Sequence, residues 1–134
     1  MKVFLTSAIA ATLATAGLAS AKPPLREVQD LNNRLYYGLV AYEISEACPG
    51  LSFRKLRGVN ELWALGRAAK ALGYTEAEIR AFIKSDEEKD LMRKRGEAWL
   101  KHKGVAVGDT EGYCTLGRAE IERNSAIGVY LRAK

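Results

Sequence analysis

Only two cysteines, Cys48 and Cys114, occur in this chain of 134 residues, and 66 positions separate them. Two thiols are too few for a disulfide-dense scaffold, a four-thiolate zinc site or an iron–sulfur cluster. The single histidine, His102, excludes any centre that needs two or three imidazoles from one chain. Whether the cysteines pair depends on the compartment, and the N-terminus bears on that. Met-Lys is followed by an uncharged stretch from Val3 to Leu18 and then by Ala19-Ser20-Ala21. A basic start, an apolar middle and a small-x-small end form the pattern of a secretory signal peptide. The break at Pro23-Pro24 favours cleavage after Ala21 over retention as a membrane anchor. The expected arrangement is a signal peptide over 1–21 and one domain over 22–134, periplasmic or secreted.

Cleavage leaves 113 residues and lowers the formal net charge from +5 to +4. One small core fits that length, and a covalent staple helps it. An oxidising compartment favours a Cys48–Cys114 bond. Such a loop is worth about 4 kcal/mol in the chain-entropy picture. No segment after the signal is long and apolar enough to cross a membrane.

The pattern predicts an all-α, single-domain bundle of about five helices. A first helix is expected over about 29–47, with Leu31, Leu35, Leu39, Tyr42 and Cys48 on its buried stripe. Cys48-Pro49-Gly50 ends it. Ser52 is the expected cap of a second helix over about 53–72, buried through Leu56, Val59, Trp63, Leu65, Ala69 and Leu72. Gly73 follows as the left-handed terminator. Thr75-Glu76-Ala77-Glu78 and Ser85-Asp86-Glu87-Glu88 match the capping box, a hydroxyl with Glu three residues on. They start helices over about 76–84 and 86–103. Asp109 caps a fifth over about 110–123, with Tyr113, Leu116 and Ile121 inward. The tail, with Ile127, Val129 and Leu131, reads as a short packed turn. No alternating run argues for a sheet.

Chemistry-bearing patterns are sparse. Residues 52–70 hold five basic side chains against Glu61, and 89–103 hold six against Asp90 and Glu97. Arg54, Lys55, Arg57, Lys94, Arg95 and Lys101 are therefore candidates for an anionic-partner surface. The competing reading is a solvated face paired within itself, with Arg93-Glu97-Lys101 and Asp90–Lys94 at i,i+4 spacing. No aromatic interleaving or motif supports a nucleic-acid partner. His102 sits between two lysines without an orienting group, so it reads as a helix-end surface residue. Glu43, Glu46, Glu61, Glu120 and Glu122 are the acids from which a glycosidase-like pair would be drawn. Glu61 reads first as a partner of Arg57. Nothing in the pattern calls for a cofactor or a metal.

Glycines inside helical stretches are less ordinary. Gly38, Gly58, Gly66, Gly96 and Gly117 each cost about 0.5–1 kcal/mol against alanine. Close helix approach offsets that in the plain reading, and backbone approach by a ligand or partner in the functional one. No phosphate-loop pattern accompanies them. Of the adjacent Tyr36 and Tyr37, one should face outward, where it can serve a partner.

Several stretches together resemble one family. They are Leu72-Gly73-Tyr74-Thr75-Glu76-Ala77-Glu78-Ile79, Ser85-Asp86, Glu88-Lys89, Tyr113-Cys114, Gly117-Arg118-Ala119-Glu120-Ile121, Ser125, Ile127-Gly128, Leu131 and Cys48-Pro49. The family is one of small exported alphaproteobacterial proteins carrying a domain of unknown function. The resemblance implies an exported helical domain with this two-cysteine arrangement, and no activity or catalytic residue. The expected function is a non-enzymatic binding or accessory module, such as an adaptor, inhibitor or immunity-like protein; the pattern leaves its partner open between a periplasmic protein and an anionic envelope component. The alternatives are a small carboxylate-dependent envelope hydrolase and an electrostatic binder of an anionic envelope component.

Overall fold

The computed structural model describes residues 22–134, so the expected signal segment lies outside the described residues. Five helices follow in order: α1 (Gln29–Ala47), α2 (Lys55–Ala71), α3 (Glu76–Lys84), α4 (Asp86–His102) and α5 (Thr110–Glu122). Short 3-10 turns precede α1 (Leu25–Glu27) and follow α5 (Gly128–Tyr130). The chain is mostly helical, as its periodicity predicts, and each helix boundary falls within two residues of expectation.

Local chemistry accounts for the helix starts. Thr75 accepts from the Glu78 N–H at 3.1 Å while the Glu78 carboxylate accepts from the Thr75 N–H at 2.6 Å, completing the capping box. Ser85 caps α4 through the Glu88 N–H, and Asp109 caps α5 through the Gly112 N–H. Gly73 closes the turn after α2 at φ 93°, a conformation that disfavours a side chain.

Two expectations fail here. Ser52 caps nothing. It lies in a strand, β1 (Leu51–Phe53), which pairs antiparallel with β2 (Leu131–Ala133) in the register Leu51↔Ala133, Ser52↔Arg132 and Phe53↔Leu131. The tail is therefore a turn plus a strand rather than a packed turn. Strands of three residues are too short for alternation to reveal, and their partners lie some 80 positions apart in sequence.

The core divides in two. The larger cluster joins Tyr36, Val40, Ala41, Ile44, Cys48, Leu51, Leu100, Val105, Tyr113, Ile127, Tyr130 and Leu131. The Cys48–Cys114 disulfide lies at its edge and ties the end of α1 to the first turns of α5. The smaller cluster has only Leu31, Leu65, Ala69 and Tyr74 and serves the α2–α3 side. The start of the described chain is fastened to that side. The Tyr74 hydroxyl donates to the Pro23 carbonyl, and the Lys22 ammonium donates to the Gly73 carbonyl at 2.8 Å and to Glu78 at 2.9 Å.

Among the described residues no helix is long and apolar enough to cross a membrane.

Candidate binding groove

α1 is apolar on two opposite sides. At 100° per residue, Tyr36, Val40, Ala41, Ile44 and Cys48 fall on one side, and Leu31, Leu35, Leu39 and Tyr42 on the other. The first side enters the large core. On the second, Leu31 is buried and Leu35 half-buried, while Leu39 and Tyr42 remain exposed. Of the stripe expected to be buried, Leu31 and Cys48 are buried and Leu35 half-buried, while Leu39 and Tyr42 are uncovered. α2 departs further from expectation. Leu65 and Ala69 are buried, yet Leu56 is 82%, Trp63 68%, Leu62 56% and Val59 49% exposed. Leu72 is exposed as well. The periodicity is present, but among the described residues these side chains are left half to mostly uncovered.

Leu39 and Tyr42 of α1 and Val59 and Leu62 of α2 face a common trough, whereas Leu56, Trp63 and Leu72 lie outside it. Near the β1 end it is a cavity of about 380 Å³ whose walls include Leu35, Leu39, Tyr42, Phe53, Val59 and Leu62. A second cavity of about 400 Å³ continues it towards Ile79, Phe82, Ile83 and Met92 of α3 and α4. Both share Leu35, Leu39, Leu62 and Leu65, so the trough is continuous along α1 and α2. Contiguous exposed apolar surface of this kind is uncommon on a folded monomer and calls for an explanation.

The helical glycines sort themselves around it. A Cβ at Gly58 would meet the Phe53 ring at 2.5 Å, and one at Gly117 would meet Leu51 at 2.3 Å, so these two serve close packing. Gly38 and Gly66 line the trough, and a Cβ at either would meet no atom within 4 Å. Among the described residues no packing contact offsets their helix cost. Gly38→Ala and Gly66→Ala should therefore each raise stability by about 0.5–1 kcal/mol, read from urea midpoints. A loss of stability in either variant would show that the trough closes over these positions in solution.

Charges in the trough are few. The Arg34 guanidinium donates to Glu61 at 2.6 Å, so the partner of Glu61 is Arg34 rather than the expected Arg57. The Arg57 side chain lies over the Tyr130 ring, 5.8 Å from its centroid. Arg54 donates to the Val129 carbonyl at 3.2 Å. Lys55 lines the trough. The other candidate cations belong to α4. Lys94 pairs with Asp90 at 2.8 Å, Arg95 donates to Asn33 at 2.7 Å with its guanidinium over Tyr36, and Lys101 is exposed. Arg93–Glu97 forms the expected i,i+4 pair at 2.6 Å. His102 is exposed at the end of α4.

The candidate acids are not gathered in one cavity. Glu61 is the only carboxylate in the first half of the trough, and Glu88 the only one in the second. Glu120 is buried and held by Arg123. Glu43 accepts from the Tyr113 hydroxyl at 3.2 Å. Burial, reinforced by the Glu43 charge, pushes the Tyr113 phenol up to about 12. Glu46 and Glu122 are exposed. Among the described residues no group of three or more His, Cys, Asp or Glu side chains is placed to hold a metal ion.

Residues 23–132 match a protein family described as being of unknown function. No curated protein and no solved structure matches the chain.

Proposed function

We propose that this chain, which belongs to the DUF5333 family of unknown function, is a non-enzymatic binding module whose site is the α1–α2 trough. The occupant we assign is a single helix of a protein partner, laid lengthwise with its apolar side down. One observation carries the reading: Leu39, Tyr42, Val59 and Leu62 stand exposed along a continuous apolar furrow with open space above Gly38 and Gly66. From Leu31 to Tyr42 the α1 wall runs about 16 Å, or three helical turns. That length suits a helix anchored at i, i+3 or i+4, and i+7. Export to the periplasm or beyond is part of the proposal. Its support is the signal-like pattern of residues 1–21 and the closed disulfide, a bond that persists in oxidising compartments.

Displayed libraries of helices of about 14 residues, with leucines fixed at that spacing, supply the test. Selection against the oxidised protein should yield binders of micromolar affinity. Gly38→Leu and Gly66→Leu place a side chain in the trough and should weaken them at least about tenfold without loss of fold. Failure to recover any helix, or unchanged binding to both leucine variants, would overturn the assignment.

A further inference from the structure

We infer that the helix taken by the trough carries acidic side chains beside its apolar stripe; this rests on the trough being the binding site. The reason is the charge left over on the α2 wall. Arg54, Lys55, Arg57 and Arg67 belong to this helix or its first flanking position, and all four are exposed. None of them meets a carboxylate at ion-pair distance among the described residues. Several cations elsewhere are matched, Arg26 with Glu87 and Glu88, Lys70 with Glu76, Lys89 with Asp86, Arg93 and Lys94 with Asp90, and Arg123 with Glu120, while Arg80, Lys84, Lys101, Lys103 and Arg118 are not. What sets the α2 group apart is its place: Lys55 lines the trough, and Arg57 lies over Tyr130, which lines it too. The two acids that line the trough are already neutralised, Glu61 by Arg34 and Glu88 by Arg26. With those acids engaged, Arg54, Lys55 and Arg57 leave the β1 end of the furrow with an excess of positive charge.

Position sharpens the assignment. On the α2 helical wheel Lys55 falls between Leu62 and Gly66, in line with the exposed stripe and at its N-terminal end. Arg67 falls just past Trp63 and Leu56, at the outer edge of the same stripe. A helix seated on Val59 and Leu62 thus meets Lys55 at one end, with Arg67 beyond Trp63 on the outer flank. Carboxylates at those places gain charge complementarity, which steers the encounter and fixes the orientation.

Two other occupants fit less well. A second copy joined through α2 by a two-fold axis would set these four cations against themselves. A lipid surface can meet the Leu56–Trp63 ridge, but a flat surface leaves the furrow between α1 and α2 unfilled.

The test uses two synthetic helices with one leucine stripe, flanked by glutamates in one and by lysines in the other. The glutamate peptide should bind about tenfold or more tightly at low salt, and the preference should shrink at high salt. It should disappear in a Lys55→Glu, Arg67→Glu variant, both positions being exposed. Equal binding of the two peptides, with both blocked by Gly66→Leu, would overturn the acidic partner and leave the trough assignment standing. Binding of neither peptide would overturn both. Sedimentation with phosphatidylglycerol vesicles without peptide preference would give the cations to a lipid surface. A dimer that dissociates on charge reversal would give the face to a second copy. Either result overturns the inference.

Discussion

Gly128→Ala should cost at least about 3 kcal/mol, a large part of the stability of a domain this size. A Cβ there would stand 1.9 Å from the Glu120 carbonyl oxygen and 2.7 Å from the Ile121 nitrogen. Both are backbone atoms of α5, so no rotamer change relieves the overlap. The contact is also locked by hydrogen bonds. The Gly128 N–H donates to the Ser125 hydroxyl at 2.9 Å, and the Ser125 N–H donates to the same Glu120 carbonyl at 3.2 Å. Separating the 3-10 turn from α5 would shift Tyr130 and Leu131 out of the large core and pull β2 away from β1. Urea denaturation of the variant beside Gly66→Ala makes the contrast internal, because the second glycine has open space where the first has backbone. A Gly128→Ala midpoint equal to that of the parent would show that the close approach does not exist in solution.

Loss of the disulfide is the second large effect. Cys114→Ser should lower stability by about 2–5 kcal/mol. The bond spans 66 positions and so restricts most of the unfolded domain. It also ties α1 to α5 beside the fully buried Cys48. Both Cys114→Ser and reductant added to the parent protein should bring the urea midpoint down by similar amounts. Agreement between them separates the loss of the cross-link from any effect of a serine at that position. An unchanged midpoint in both would mean that the bond contributes nothing to folding.

Features set by neighbours in sequence were legible in the chain. Thr75 and Glu78 announce the start of α3 because a capping box is a contact across three residues. Gly73 announces the end of α2 for the same reason, since one turn needs one left-handed residue. The disulfide was legible because only one pairing of two cysteines exists. What escaped was non-local. Three residues at Leu51 and three at Leu131 show no alternation of their own, and only the returning chain makes them strands. The stripes misled more instructively. Leu35, Leu39 and Tyr42 of α1, with Leu56, Val59 and Trp63 of α2, form apolar faces of the kind that fill a core, and periodicity carries no label saying which chain will cover them. The sequence did hold one hint of the trough. Gly38 and Gly66 are helix-weakening residues on those faces, and partner approach was one of two reasons for them to be there.

The unequal cores give the trough an unequal mechanics. Its α1 wall is bonded on its far side into the twelve-residue cluster, so that wall stays put. Its α2 wall is held by the smaller cluster through Leu65 and Ala69, by the Arg34–Glu61 ion pair, and by Gly58 seated on the Phe53 ring near one end. Any opening or tightening of the trough is then a swing of α2 against a fixed backstop, with Phe53 close to the pivot. A guest that fills the furrow gains its own contacts and also supplies the packing that α2 lacks when alone. Occupancy and the rigidity of one helix become the same event.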